Sequence, residues 1–206
     1  PDCLARVGAV IKVIHRIFHA IAWLMAVFGG AVLSVLVLML CASIFGRTAT
    51  SILHSAWMTE TAPDLARWLL STGIGPIYGD YEFLVAGLAL SVFCFLGWCQ
   101  ITAGHATVDV FTTALRDRQR RILQMVIEIL FAVALVLIAL QLYDGLQTVM
   151  RRRSTTFMLQ YPLWWNYLAA FVPAAITAAI GVWMALVRIA EAAMNRPLIT
   201  VHGAEH

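Results

Sequence analysis

Three features of the sequence predict an all-α integral membrane protein with four transmembrane helices plus amphipathic interfacial helices. Apolar residues make up 62% of the 206 and charged residues 12%, against about 45–50% and about 25% in a soluble domain. Arg16 to Arg47 encloses no Asp, Glu, Lys or Arg, and neither does Arg153 to Arg188; each stretch exceeds the roughly 20 apolar residues that cross a bilayer. No apolar run alternates with the period of a barrel strand, so helices are left as the structure that satisfies the backbone in lipid. The net charge of +3 comes from arginines scattered near the ends of the apolar runs. A nucleic-acid partner is therefore not expected, because that requires one basic face.

The elements follow in order along a single membrane domain, 1–206. Over 1–16, Leu4, Val7, Val10, Ile11 and Ile14 begin an apolar face that Ile17, Phe18 and Ile21 extend, opposite Asp2, Arg6, Lys12, His15, Arg16 and His19. This pattern predicts an amphipathic helix in the interface that turns into a first span at 17–45. That span is too long for the roughly 7–15 residues of a signal-peptide core, so it is expected to stay in the mature chain. In the outer connection, 46–82, Thr61, Pro63 and Asp64 start a short helix, Leu65, Trp68 and Leu69 give it an apolar face, and Gly73 stops it. A second span is expected at 83–103, and the next connection is partly helical through Val108, Phe111 and Leu115. The last two spans are expected at 122–149 and 163–187.

Orientation follows from Lys and Arg. The N-terminal flank, the second connection and the C-terminal flank hold nine, and the opposite side holds five, namely Arg47, Arg67, Arg151, Arg152 and Arg153. The positive-inside rule then places both termini in the cytoplasm.

Chemistry is sparse. Glu128 and Asp144 are the acids within the third span, each near an arginine at its own end. An intramembrane acid points to interfacial anchoring, helix–helix hydrogen bonding or an ion pathway; these two do not meet at the midplane. His19 and His105 sit at the rims of their spans, where a bis-histidine haem would be poorly buried, so a haem-bearing or purely structural anchor of a respiratory enzyme is the alternative reading. Cys3, Cys41, Cys94 and Cys99 form no C-x-x-C pair and read as small packing residues. No metal cluster, nucleophilic triad or phosphate loop is visible, so neither cofactor nor enzymatic activity is expected. Small-residue ladders are plentiful: Ala26, Gly30 and Ser34; Gly87 and Ser91; Ala170, Ala174 and Ala178. Such faces let helices approach closely, within the chain or against a partner.

Gly79-Asp80-Tyr81-Glu82, then Phe95-Leu96-Gly97, then Gly104-His105-Ala106-Thr107-Val108-Asp109, run through the second span in order. Ser154 to Pro162, with Trp164, Trp165 and Pro173, follows in the last third. In this order and spacing the chain resembles the small membrane subunit of tripartite ATP-independent periplasmic (TRAP) transporters, the DctQ-like family, over roughly 17–187. The resemblance implies a bacterial inner-membrane scaffold subunit of a sodium-coupled secondary transporter. Its expected partners are a large multi-span transport subunit, a periplasmic solute-binding protein that delivers an organic acid or similar solute, and membrane lipids. Under that reading Glu82, His105 and Asp109 fix the ends of the second span and the following loop. Glu128 and Asp144 are candidate inter-subunit polar contacts, and Arg151, Arg152 and Arg153 contact the periplasmic partner or lipid headgroups. The first connection is longer than the family pattern suggests, and Trp57 and Glu60 within it have no clear counterpart.

Overall fold

The computed structural model describes residues 2–54, 77–102 and 117–194. Among these residues the helices are α1 (Asp2–Leu53), α2 (Asp80–Ile101), α3 (Asp117–Arg152) and α4 (Trp164–Met194). Each contains a segment long and apolar enough to cross a membrane: Ile11–Leu53, Asp80–Ile101, Ile122–Arg152 and Trp164–Glu191. With 22 residues, α2 is about 33 Å long, close to the roughly 30 Å hydrocarbon core. Its two ends therefore mark the two membrane boundaries.

Two expectations about α1 change. The turn after residue 16 is absent, and the helix runs unbroken from Asp2 through the whole of 17–45 and on to Leu53. No proline lies in this stretch, so nothing interrupts the backbone ladder; an amphipathic pattern reports faces and carries no break signal. At 52 residues the helix is about 78 Å long and must extend well beyond the bilayer. The short helix expected after Thr61 and the helical stretch around Phe111 lie outside the described residues.

The helices pack side by side in the order α1, α2, α4, α3, with only slight contact between α1 and α4. α4 is the most buried and α1 the least. The two edge helices turn broad apolar surfaces outward, including Val35 and Leu38 on α1 and Leu130, Val133 and Leu137 on α3.

The seam between α1 and α2 follows a seven-residue period. Ala22, Gly29, Leu36 and Ser43 are all buried, the spacing that keeps one stripe on a neighbouring helix. A Cβ at Gly29 would come within 2.7 Å of Cys94 Cβ, and one at Gly87 within 2.6 Å of Leu36 Cδ1. The ladder expected on α1 is thus one residue out of register: Ser34 is exposed, its hydroxyl donating to Gly30 O at 2.8 Å within its own helix. The four-residue ladder drifts off a seam that repeats every 3.5 residues. The other two ladders do pack. Ser91 Oγ donates to Gly29 O at 3.1 Å, and Ala170, Ala174 and Ala178 are buried in α4. Facing α4, α3 buries Glu128, Ala132, Leu135, Leu146 and Val149, and with the half-buried Ala139 and Leu142 between them the steps alternate between four and three residues. Gly181 admits Leu135, and Gly145 admits Tyr167.

Packing differs between the two halves of the membrane. In the half toward Ile101, Ala22, Ile101, Ile180 and Met184 form a filled core closed by Phe18, Trp98, Ile176 and Trp183. The half toward Asp80 combines apolar contacts, Leu36 against Gly87 and Tyr167 against Gly145, with polar contacts at its rim.

Candidate functional site

The rim at the Asp80 end is built around the start of α2. Gly79 takes φ 83 at the N-cap, a left-handed conformation that glycine adopts without a steric penalty. Any Cβ there would meet Leu159 Cδ1 at 2.5 Å. Asp80 and Glu82 occupy the first turn, where negative charge offsets the positive end of the helix dipole. Asp80 reaches back to α1: Ser43 Oγ donates to Asp80 Oδ2 at 2.6 Å, and Arg47 NH2 lies 3.3 Å from the same oxygen. Glu82 reaches the other way. Its Oε1 accepts from Met158 N at 2.7 Å and its Oε2 from Leu159 N at 3.2 Å.

The loop that Glu82 grips joins α3 to α4. α3 ends in a Schellman motif: Arg153, at φ 47, donates its N–H to Met150 O, and Ser154 N donates to Val149 O. Arg151 and Arg152 lie in the last turn of α3, where positive charge complements the dipole. A bridge pairs Thr155 with Pro162, with Thr156 N donating to Tyr161 O at 2.9 Å and Leu163 N to Ser154 O at 2.9 Å. The tip carries Phe157, 98% exposed. Tyr161 stacks on Phe83 of α2 at 6.3 Å between ring centroids, and Pro162 O accepts from Trp165 N at 3.2 Å where the chain enters α4.

At the other end, Gln100 Nε2 donates to Glu128 Oε2 at 2.6 Å, tying α2 to α3 across a gap that has little other packing. Glu128 is only 5% exposed. Arg188 donates to Glu191 at 2.8 Å within α4, and its charge acts on both Glu128 and His15. Nearer mid-depth, Thr177 Oγ1 donates to Phe93 O at 2.9 Å where Gly97 brings α2 close to α4. Among the described residues no group of three His, Cys, Asp or Glu could hold a metal ion. His19 lies edge-on to Trp98 at 5.0 Å.

The residues singled out from the sequence are thus dispersed. Glu82 sits at one rim and Glu128 at the other. Asp144 is exposed on α3 with no side-chain partner among the described residues, Thr148 Oγ1 donating instead to its backbone oxygen at 2.9 Å. His105 and Asp109 lie outside the described residues. The sequence reading passed over Ser43, Asp80 and Gln100 as site residues. Ser43 carried a usable signal, a hydroxyl at the fourth position of a seven-residue repeat of small and apolar residues; Gln100 carried none until Glu128 was placed opposite it.

Residues 36–193 match the family described as tripartite ATP-independent periplasmic transporters, DctQ component. The chain belongs to the DctQ family. The match takes in the last third of α1, all of α2 and α3 and nearly all of α4, along with the rim built by Asp80 and Glu82. DctQ is the small membrane subunit of TRAP transporters, as the order of motifs through the second span implied. No curated protein and no solved structure matches the chain.

Proposed function

We propose that this DctQ chain is a non-catalytic scaffold: it sits in the bacterial inner membrane with both termini cytoplasmic and widens and stiffens the stationary part of a sodium-coupled transporter. Its partners are a large multi-span subunit that binds solute and sodium and a periplasmic protein that delivers an organic acid or similar solute. The observation that carries this reading, together with family membership, is the side-by-side arrangement of the helices. A row presents two edge helices and two broad faces to lipid or to a neighbour, whereas a closed bundle turns one face of every helix inward and leaves no free edge. Ser43, Asp80, Glu82, Ser91, Gln100, Glu128 and Thr177 serve rim contacts and helix pairing, consistent with a subunit that holds position. The respiratory-anchor alternative is not favoured by the family.

The test is reconstitution. Vesicles receive this chain, the large subunit and the binding protein singly and together, and solute uptake is followed under an inward sodium gradient. Uptake is expected only from the full set, and Glu82→Gln should lower its rate without changing which solute is preferred. Uptake by this chain alone, or a changed preference in the variant, would overturn the scaffold reading.

A further inference from the structure

Between α2 and α4, on the side where α1 also borders them, an apolar groove descends from the rim at the Asp80 end. Its upper part has a volume of about 620 Å³ between Phe83, Tyr161 and Trp165, with Leu159 of the clamped loop as its roof. Its lower part, about 360 Å³, lies between Phe28, Leu90, Cys94 and Val172. Trp165 and Ala169 line both parts, so the two adjoin.

The groove exists for local reasons. Ala86 and Ala169 leave room where two helices face each other. Pro173, in the wall of the lower part, lacks the N–H that would bond Ala169 O.

Depth decides what fits. From Phe83 to Cys94 along α2 the groove covers about 16 Å, one leaflet of a hydrocarbon core roughly 30 Å thick. Below Cys94 the same inter-helix space is filled by the core of Ile180, Ile101 and Met184. A partner helix about 10 Å wide runs the whole depth of the membrane and would be blocked halfway. The mouth carries Tyr161 and Trp165, residue types that sit at headgroup level. Asn166 is there too, its Oδ1 taken by Tyr161 OH at 2.7 Å, which leaves its amide nitrogen to donate. An unfilled groove in lipid forfeits dispersion contacts along its lining, and a single flexible hydrocarbon chain is the membrane component narrow enough to restore them.

We infer that this groove holds one acyl chain of a phospholipid from the leaflet on the Asp80 side, with the headgroup at the Tyr161–Asn166 rim. The site belongs to this chain's own fold and stands independently of the scaffold reading.

Photolabelling tests it. The full-length chain is placed in vesicles of phosphatidylethanolamine and phosphatidylglycerol containing a small fraction of phospholipid with a mid-chain diazirine, irradiated, and mapped by peptide mass spectrometry. Adducts on Phe28, Leu90 and Val172 are expected to exceed by several-fold those on Val35 and Leu38, which are more than half exposed on α1. Adducts that simply follow exposure would overturn the proposal. Ala169→Trp, which fills the junction of the two parts, should abolish labelling at Phe28 and Val172 and leave Leu38 unchanged, whereas Leu137→Trp on α3 should change nothing. Persistent labelling of the groove in Ala169→Trp would count against it. If that variant does not fold, the distribution on the unmodified chain still decides. Photo-crosslinking from a benzoylphenylalanine at Val172 in native membranes addresses the rival occupant: a polypeptide adduct in place of a lipid adduct would also overturn the proposal.

Discussion

Glu82 uses both carboxylate oxygens as acceptors for two consecutive backbone N–H groups, Met158 and Leu159. A glutamine keeps one oxygen and turns an amide nitrogen toward the second donor, so the loop must loosen on one side. In Glu82→Gln we expect faster amide hydrogen exchange at Met158 and Leu159 and unchanged exchange in the middle of α4; equal protection in both proteins would remove Glu82 as the clamp. Arg153 provides a complementary test. It holds φ 47 at the end of α3, a conformation that costs a non-glycine residue about 1 kcal/mol or more. Arg153→Gly keeps both Schellman hydrogen bonds and removes that strain, so the melting temperature in detergent should rise by a few degrees, for about 1 kcal/mol. A fall would mean that the arginine side chain makes a contact worth more than the strain.

The elements read differently from one another. Apolar length alone was enough to find four helices, because lipid allows the backbone no other arrangement on a run of that kind. Register was harder. Gly29 and Gly30 are adjacent and chemically identical, and only the position of Cys94 makes Gly29 the buried one. They separate cleanly by experiment. Gly29→Ala places a methyl 2.7 Å from Cys94 Cβ, whereas the nearest atom to a methyl at Gly30 is Phe95 Cζ at 3.9 Å. Overpacking costs about 1–3 kcal/mol, so Gly29→Ala should lower the melting temperature and Gly30→Ala should leave it level or raise it slightly; the reverse order would return the seam to the Gly30 register. The candidate site was half legible for the same reason. Glu82 stood out as an acid entering an apolar run, yet its partners lie 76 and 77 residues away and no local pattern links them. Gln100 and Glu128 form a comparable pair. Gln100→Leu leaves a buried carboxylate short of a donor, at a cost of about 1–3 kcal/mol, whereas Gln100→Leu with Glu128→Leu replaces both partners and should recover most of the loss. Equal destabilisation by the double change would show that the pair matters through more than its own hydrogen bond.

At the scale of the whole molecule, the row leaves α1 and α3 each packed on one side only, and the two edges differ chemically. The outer surface of α1 between Trp23 and Phe45 is uncharged. The outer surface of α3 exposes Gln141, Asp144 and Thr148 on one stripe. An acid facing hydrocarbon is costly unless something pairs with it, and Tyr167 packing into Gly145 places Asp144 about one helical turn inside the level of Trp164. From that asymmetry we propose that the α3 edge meets the large subunit and that the α1 edge meets lipid. Asp144→Leu discriminates: the isolated chain should fold as before or slightly more stably, because an exposed charge near the hydrocarbon has been removed. Its association with the large subunit should weaken by roughly fivefold, the equivalent of about 1 kcal/mol for one interhelical polar contact. Binding measured in nanodiscs, with Leu38→Asn on the α1 edge as the control, tests the assignment. Weakening by the α1 change alone would move the interface to the opposite edge.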